Sequence, residues 1–379
     1  MSRREGHIRQ RSPGSFEVRY SLGIDASSGK RRTATFTFHG TRPEAKKELL
    51  RRLNAVNEGS HVDPSRETVS QFFERWLRDW VAVNVSAKTG ERYGELIRRH
   101  ALPRIGTRAM QKLRPLHLGE LYAKLQLECG LAARTVGHVH RVLHRGCGIA
   151  QQWGVITANP CEQVKPPKVE ATEIEILKPE ELQKVLDAIR SRFLYPIVRM
   201  ALGSGMRRGE LLALRWQDVD LDRASVRVER SLEQTKAGLR FKAPKSKRSR
   251  RTITLPSFVV SDLRAHWKAQ QEQRLALGLG KAAPESLVFA RYDGEARHPD
   301  TFSREWSEAA RKVGVGVSFH GLRHTHASQL IASGMDVLTI SRRLGHSNPA
   351  ITLNVYGHLI HNTDSKAVEV LEVAFSRGT

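Results

Sequence analysis

The chain has 379 residues, which is enough for two or three domains at the usual ~100–200 residues per domain. It carries 63 lysines and arginines against 39 aspartates and glutamates, a formal net charge of +24. An excess of this size predicts a polyanionic partner, and nucleic acid is the first candidate. No apolar run reaches the ~18–20 residues that cross a bilayer, so membrane and secreted classes are disfavoured. Three widely spaced cysteines without a Cys-x-x-Cys pair favour the reducing cytoplasm.

The first 64 residues predict a small β-sheet followed by one helix. Residues 15–22 and 32–38 alternate in the manner of strands around a turn at 25–29, which indicates two or three short strands. Thr41, with proline and glutamate soon after it, is a helix start. A piece this small buries little core, so we interpret it as an accessory binding module, with contact to another protein domain as the alternative.

Residues 65–158 predict a helical bundle. Apolar side chains from Val69 to Trp80 recur on one helix face, and further helical patterns span 87–100, 115–128 and 132–153. The outer faces carry a basic set suited to phosphate contacts, although a solvated surface is the alternative for any single member. This set comprises Arg92, Arg98, Arg99, His100, Arg104, Arg108, Lys112, Arg114, Arg134, Arg141, His144 and Arg145.

A proline-rich stretch at 159–177 predicts a linker, and residues 178–379 predict an α+β domain. A helix should begin near Lys178, and short strands are expected at 225–231, 239–243 and 251–255. The predicted fold is therefore multidomain and mainly α, with an α+β C-terminal domain.

Five motifs of the C-terminal half carry candidate chemistry, although each has an ordinary structural alternative. They are Arg207-x-x-Glu210, a cationic turn at 241–251, His320-x-x-Arg323, Leu344-Gly345-His346, and a tyrosine, Tyr356, ten residues after that histidine. The first pair is commonly an intrahelical ion pair, and a charged run is usually a solvated loop. The turn separates two strand-like segments, which we interpret as a hairpin with a lysine at its tip.

Together, the order and spacing of these motifs resemble the tyrosine recombinases, the phage integrase family. The matching stretches are 205–211, 320–327 and 344–356, with Ser204 where the family more often has threonine. The resemblance implies a helical core-site DNA-binding domain ahead of a tyrosine-recombinase catalytic domain. The N-terminal sheet is similar in outline to arm-type DNA-binding domains of integrases from temperate phages and conjugative elements.

The resemblance also implies the reaction and its residues. Duplex DNA would be cut and rejoined through a 3′-phosphotyrosyl intermediate and a Holliday junction, without metal or other cofactor. Tyr356 is then the nucleophile, and Arg207 and Arg323 hold the phosphate. His320 serves as base or hydrogen-bond partner, His346 donates to the phosphate, and Glu210 orients Arg207 or the lysine. The general acid is expected at Lys245, with Lys247 and then Lys242 as alternatives.

The implied partners are double-stranded attachment sites and three further copies of the chain, as a homotetramer on synapsed DNA. Accessory DNA-bending or excision factors are possible partners, a membrane is not, and the enzyme is expected in the cytoplasm at the nucleoid. An apolar stripe at 366–375 could dock on a neighbouring subunit or on its own.

Four other functions compete with this interpretation. His320, His324 and His326 could bind a metal, but no Glu or Cys completes the set, which favours structural roles for the last two. A metal-dependent nuclease would need convergent carboxylates, for which Asp218, Asp220 and Asp222 are the candidates. A type IB-like topoisomerase would not require the N-terminal module. A DNA-binding protein without chemistry would be free to lose Tyr356.

Overall fold

The computed structural model describes residues 6–24, 29–58, 61–170, 175–243 and 249–357, together with Val368, Leu371, Glu372 and Phe375. The chain divides into two compact units, 1–171 and 172–379. Across the described residues, no helix has both the length and the apolar composition that spanning a bilayer requires.

The first unit begins with a three-stranded antiparallel sheet of strands β1 His7–Ser12, β2 Ser15–Ile24 and β3 Arg31–His39, in that order. Helix α1, Arg42–Asn57, follows because Thr41 caps it; the Thr41 backbone N–H donates to Glu44 Oε2 at 2.7 Å. One face of the sheet packs on this helix through a small core of Phe16, Val18, Tyr20, Ala45, Leu49 and Leu53. The predicted small sheet and its helix are confirmed.

The rest of the first unit is helical and has its own core. Thr68 caps its first helix, where its hydroxyl accepts from the Gln71 backbone N–H at 3.2 Å. The Trp76 ring is fully buried and stacks on the rings of Trp80 and Tyr93, with distances between ring centroids of 6.0 and 5.8 Å. The helices are α2 Val69–Trp76, α3 Ala82–Asn84, α4 Ala87–Leu96, α5 Leu102–Ile105, α6 Pro115–Leu127 and α7 Ala133–Gln152, with π-helical turns at Leu77–Val81 and Ile97–Ala101 and 3₁₀ turns at Met110–Lys112 and Pro160–Gln163.

The second unit is α+β, as predicted. Its helices are α8 Pro179–Ile189, α9 Leu194–Ser204, α10 Arg208–Leu211, α11 Ser257–Ala276, α12 Pro299–Lys312, α13 Phe319–Ala332, α14 Val337–Leu344 and α15 Pro349–Tyr356. Its strands are β4 Val219–Asp220, β5 Ser225–Val228, β6 Ser231–Thr235, β7 Gly238–Lys242 and β8 Arg251–Thr254. Strands β4, β5 and β8 form one antiparallel sheet, and β6 and β7 form a separate hairpin.

Two details of the predicted strands are wrong. The expected strand 225–231 is split between two sheets, since residues 225–228 form β5 and Ser231 begins β6. Between them, Arg230 Nε donates to the Ala213 carbonyl at 2.8 Å. The expected hairpin around the cationic turn is also absent from the described strands: β7 pairs with β6, and β8 pairs with β5. The strands on either side of the cationic turn, β7 and β8, therefore lie in different sheets.

Candidate active site

Arg207 and Glu210 lie where α9 gives way to α10. Gly205 ends α9 with φ of 65°, and a Cβ atom there would come within 2.6 Å of the His326 ring. Glycine therefore fits both the left-handed backbone and the close approach. Arg207 is the cap of α10, where its backbone N–H and its Nη1 donate to the Glu210 carboxylate at 3.0 and 2.8 Å. Glu210 thus orients the Arg207 guanidinium.

Glu210 is also held by an arginine that the sequence did not single out. The Arg251 Nη2 donates to Glu210 Oε2 at 2.9 Å, and both side chains are nearly inaccessible, at 6% and 4% exposed. Burial would raise the pKa of Glu210, but the charges of Arg251 and Arg207 and their hydrogen bonds outweigh it and lower the pKa. The carboxylate is therefore ionised at neutral pH.

Arg323 is the most enclosed of the predicted phosphate ligands. The whole residue is 3% exposed, and the two terminal nitrogens of its guanidinium donate to the Gly205 and Leu344 carbonyls at 2.6 and 2.7 Å. Burial and, after it, the charge of Arg207 lower the pKa of Arg323 to about 9, which leaves it protonated at neutral pH. Arg323 thereby ties helix α13 to the ends of α9 and α14.

The predicted histidines lie in the same site and are neutral at pH 7. Desolvation by burial, with the charges of His324 and Arg323 after it, lowers the pKa of His320 to about 4. Desolvation and the charges of Arg323 and Arg207 lower the pKa of His346 to about 4. His346 Nδ1 hydrogen-bonds the Thr352 hydroxyl at 2.8 Å, which leaves its Nε2 for another partner.

Tyr356, the predicted nucleophile, ends helix α15 and is 1% exposed. Its ring packs in a small apolar cluster, and its hydroxyl lies 2.7 Å from His324 Nδ1. Burial raises the pKa of the phenol to about 12, despite the opposing effect of Arg323. His324 is thus a site residue that sequence reasoning had interpreted as structural. Its position four residues after His320, on the same helix face, was the available signal.

The other candidates from the sequence are placed as follows. His326 Nδ1 lies 2.5 Å from the Leu202 carbonyl, and its Nε2 accepts from Arg343 Nε at 3.1 Å. Both nitrogens have partners, which fits the structural role predicted for this histidine. Lys242 donates to Glu233 across the β6–β7 hairpin. Lys245 and Lys247 lie outside the described residues.

The three aspartates of the nuclease hypothesis do not converge. Asp218 accepts two hydrogen bonds from Arg215 at 2.9 and 3.0 Å, Asp220 accepts from the backbone of its own turn, and Asp222 pairs with Arg264 at 2.7 Å. In the part of the chain that the structure describes, no group of three His, Cys, Asp or Glu side chains is placed to share a metal ion.

The chemistry of this site is cationic. Arg207 and Arg251 donate to one carboxylate, that of Glu210, and Arg323 lies close enough for the charges of Arg207 and Glu210 to affect its pKa. The neutral imidazoles of His320 and His346 lie beside these arginines. Guanidinium groups held in this way suit the non-bridging oxygens of a phosphate. The charge of Arg323 partly offsets the rise in the pKa of the Tyr356 phenol, the group that the sequence predicts as the nucleophile. The fold and the site thus define a protein of phosphoryl-transfer chemistry.

Comparisons with known proteins agree with this class. The model of the phage integrase family matches residues 175–362, and that of the phage integrase N-terminal SAM-like domain matches 68–126. A XerC-like tyrosine recombinase of Caldanaerobacter subterraneus subsp. tengcongensis is 28% identical, over 95% of this chain and 96% of that protein. The ICEBs1 integrase of Bacillus subtilis strain 168 is 25% identical, over 96% and 99%.

Solved structures show the same fold. The Tn1549 transposon integrase in complex with transposon right end DNA has a TM-score of 0.68 and 22% identity, covering 80% of this chain and 98% of that one. A lambda integrase tetramer bound to a Holliday junction has a TM-score of 0.58 and 18% identity, covering 92% and 94%. The chain belongs to the phage integrase family of tyrosine recombinases. It is a site-specific recombinase of a mobile element, an enzyme that cleaves and rejoins DNA.

Proposed function

We propose that the chain cuts and rejoins duplex attachment sites through a 3′-phosphotyrosyl intermediate on Tyr356 and a Holliday junction, and so integrates or excises the element. The observation that carries the proposal is the convergence of Tyr356, Arg207 and Arg323 with two neutral imidazoles at one site. Each of these groups meets a separate need of phosphoryl transfer.

The two arginines neutralise the charge that develops on the phosphate. Arg207 is fixed by Glu210 yet keeps 37% of its side chain exposed, so a DNA phosphate can approach it. Arg323 contributes charge from a more enclosed position. Because rigid donors need no reorganisation at the moment of reaction, their stabilisation is greatest in the transition state.

The balanced step transfers one phosphoryl group. The Tyr356 oxygen forms a bond to phosphorus as the bond to the DNA 5′-oxygen breaks, and rejoining reverses the exchange. The number of phosphodiester-type bonds is conserved, so no ATP is consumed. The phenolic proton goes to an imidazole, and Lys245, the candidate general acid, protonates the 5′-oxygen.

His324 supports a more specific route for the first proton. Its pKa is lowered by burial and by Arg323, so the ring is neutral at pH 7 and its Nδ1 can accept from the phenol at 2.7 Å. His320, whose ring centroid lies 4.9 Å from that of His324, is the alternative base that the motif predicts. Replacing His324 and His320 by glutamine, one at a time, tests which of the two histidines accepts the phenolic proton.

DNA affinity is assigned to the first unit. The sheet face opposite α1 exposes Arg9, Arg19, Thr35 and Thr37, and on the same face Arg11 pairs with Glu17. This cationic and hydroxyl-bearing surface suits a DNA groove. The helical part adds its basic outer residues around the core-type site. Both surfaces support the predicted arm-type and core-type modules at 1–64 and 65–158.

The assembly we propose is a homotetramer on two synapsed sites, since recombination needs four strand cleavages. Accessory DNA-bending or excision factors would set the direction. Because its substrate is chromosomal DNA, the enzyme would act at the nucleoid in the cytoplasm. Val368, Leu371 and Phe375 of the C-terminal segment are exposed apolar side chains and fit the predicted docking on a neighbour.

The deciding experiment uses nicked suicide duplexes made from DNA that flanks the gene, incubated with the protein in EDTA. Wild type should form a covalent protein–DNA adduct on Tyr356, identified by mass spectrometry, and Tyr356→Phe should form none. An adduct that requires metal, or that persists in the variant, contradicts the proposal. A salt-sensitive complex without adduct on a pool containing the site supports a DNA-binding protein instead.

A further inference from the structure

Arg251 occupies a central position that the reaction described so far does not use. It is the first residue of β8, where it pairs with Val228 of β5, so the sheet fixes its backbone. Its side chain is 6% exposed and points into the site. A buried guanidinium is costly unless its donors are satisfied, so its partners show what it does.

Every partner of Arg251 belongs to the site or borders it. Nη2 and Nη1 donate to the two oxygens of Glu210 at 2.9 and 3.3 Å. Nε donates to the Arg343 carbonyl at 2.6 Å, and Nη1 also donates to the Ser249 carbonyl at 3.1 Å. With each nitrogen engaged and little surface exposed, Arg251 has no free edge for DNA.

The same guanidinium supports the turn that leads to His346. Gly345 ends α14 with φ of 66°, and a Cβ atom there would lie 2.8 Å from Arg251 Nη1. The turn therefore packs directly on the guanidinium. The Gly345 carbonyl of this turn accepts from Arg207 Nη2 at 3.1 Å. Arg207 therefore hydrogen-bonds to Glu210 and to Gly345, and Arg251 contacts both of these residues.

We infer that Arg251 is a positioning residue of the recombination reaction: it fixes Glu210 and the 343–345 turn, and through them Arg207 and His346. This inference rests on the proposed function, because the phosphate ligands are those of the proposed reaction. Glu210 is shared by two arginines, so losing Arg251 leaves one side of the carboxylate open and lets Arg207 shift. A displacement near 1 Å at a phosphate ligand can cost about 10²-fold in rate.

The test measures cleavage of a suicide duplex in a single turnover by Arg251→Lys and Arg251→Gln. The adduct amplitude reports the fraction of folded active enzyme, and the rate constant of that fraction reports positioning. We expect the rate constant to fall by about 10- to 100-fold, with DNA affinity within about twofold of wild type. Lysine should retain more activity than glutamine, because it keeps the charge and one donor to Glu210.

A double-mutant cycle with Glu210→Gln identifies the route. If Arg251 acts through Glu210, Arg251→Lys should cost far less in the Glu210→Gln background than in wild type. The matched control is Arg215→Lys, which disrupts a similar two-donor pair with buried Asp218 outside the site. It should lower thermal stability and leave the rate constant unchanged.

The outcomes of these experiments separate the positioning role of Arg251 from the proposed recombinase function. If wild type forms the Tyr356 adduct and Arg251→Lys cleaves at the wild-type rate constant, the positioning role is wrong and the proposed function stands. Two other results also contradict the positioning role of Arg251. One is a reduced adduct amplitude with an unchanged rate constant, and the other is strictly additive losses of Arg251→Lys and Glu210→Gln in the double-mutant cycle. If wild type forms no Tyr356 adduct, the proposed function itself fails.

Discussion

The arginines of this protein occur in two very different settings. On the N-terminal sheet, Arg9 and Arg19 are exposed, and Arg19 Nη2 donates to the Thr33 hydroxyl at 3.3 Å. In the second unit, Arg323 and Arg251 are buried and bound at two or more points each. Exposed charges act over solvent and are screened by salt, whereas buried ones act through fixed geometry. One setting suits affinity, and the other suits catalysis.

The largest predicted effect is that of removing the Tyr356 hydroxyl, which lies near the buried Arg323. Tyr356→Phe removes one oxygen from an apolar cluster and should abolish the covalent adduct completely, while DNA affinity stays within about twofold. The hydrogen bond to His324 is lost, but the ring still fills its place. Denaturing gels measure the covalent adduct, and filter binding on the same duplex measures the DNA affinity. Residual adduct would mean that another residue is the nucleophile.

The second prediction tests whether buried arginines act by geometry. Arg323→Lys keeps the charge but cannot reach both the Gly205 and Leu344 carbonyls, so the cleavage rate constant should fall by about 10²- to 10³-fold. Affinity for duplex DNA should change by less than about threefold. Single-turnover cleavage and equilibrium binding provide the two values. An equal loss in both would place Arg323 with the affinity residues and break the comparison.

The third prediction concerns pH and a buried group of the second unit. Burial lowers the pKa of His326 from its ordinary 6.5 to about 4. Between these values the unfolded chain binds a proton that the folded one rejects, so stability is lost as pH falls from about 6.5 to 4, by about 3 kcal/mol when complete. Chemical denaturation at several pH values measures the slope.

The His326→Gln variant is the control for this slope. Its amide can accept from Arg343 and donate to Leu202 without titrating, so the stability curve should be flatter over the same pH range. Equal slopes in wild type and variant would assign the acid sensitivity to other groups. The N-terminal sheet offers no comparable buried histidine among its described core residues.

Local pattern predicted local structure, and the family resemblance predicted which distant residues share the site, but neither predicted contacts outside the family's motifs. Alternation over 15–22 and the cap at Thr41 specified β2 and α1, because those signals lie within a few residues of one another. The pairing of β5 with β8 does not follow from local pattern, so the hairpin around the cationic turn was predicted wrongly. The same limit hid the contacts of Arg251 with Glu210 and of His324 with Tyr356, 41 and 32 residues apart.

The last and smallest effect is expected on the exposed sheet. Each phosphate contact removed should reduce the salt slope of DNA binding by about 0.9, so Arg9→Gln and Arg19→Gln should each lower that slope by about one and weaken affinity by several-fold at moderate salt. Their cleavage rate constants at saturating protein should equal wild type, because neither side chain contributes to the catalytic core.

Arg51→Gln is the matched control, because this arginine is 71% exposed on α1, the helix that covers the opposite face of the sheet. It pairs with Glu48, and removing it should leave the salt slope unchanged. If Arg51→Gln lowers the slope as much as Arg19→Gln, the module binds DNA by diffuse charge instead of by one face. If none of the three variants changes the slope on duplexes that include arm-type sites, the sheet is not a DNA-binding surface, and contact to a protein domain becomes its better explanation.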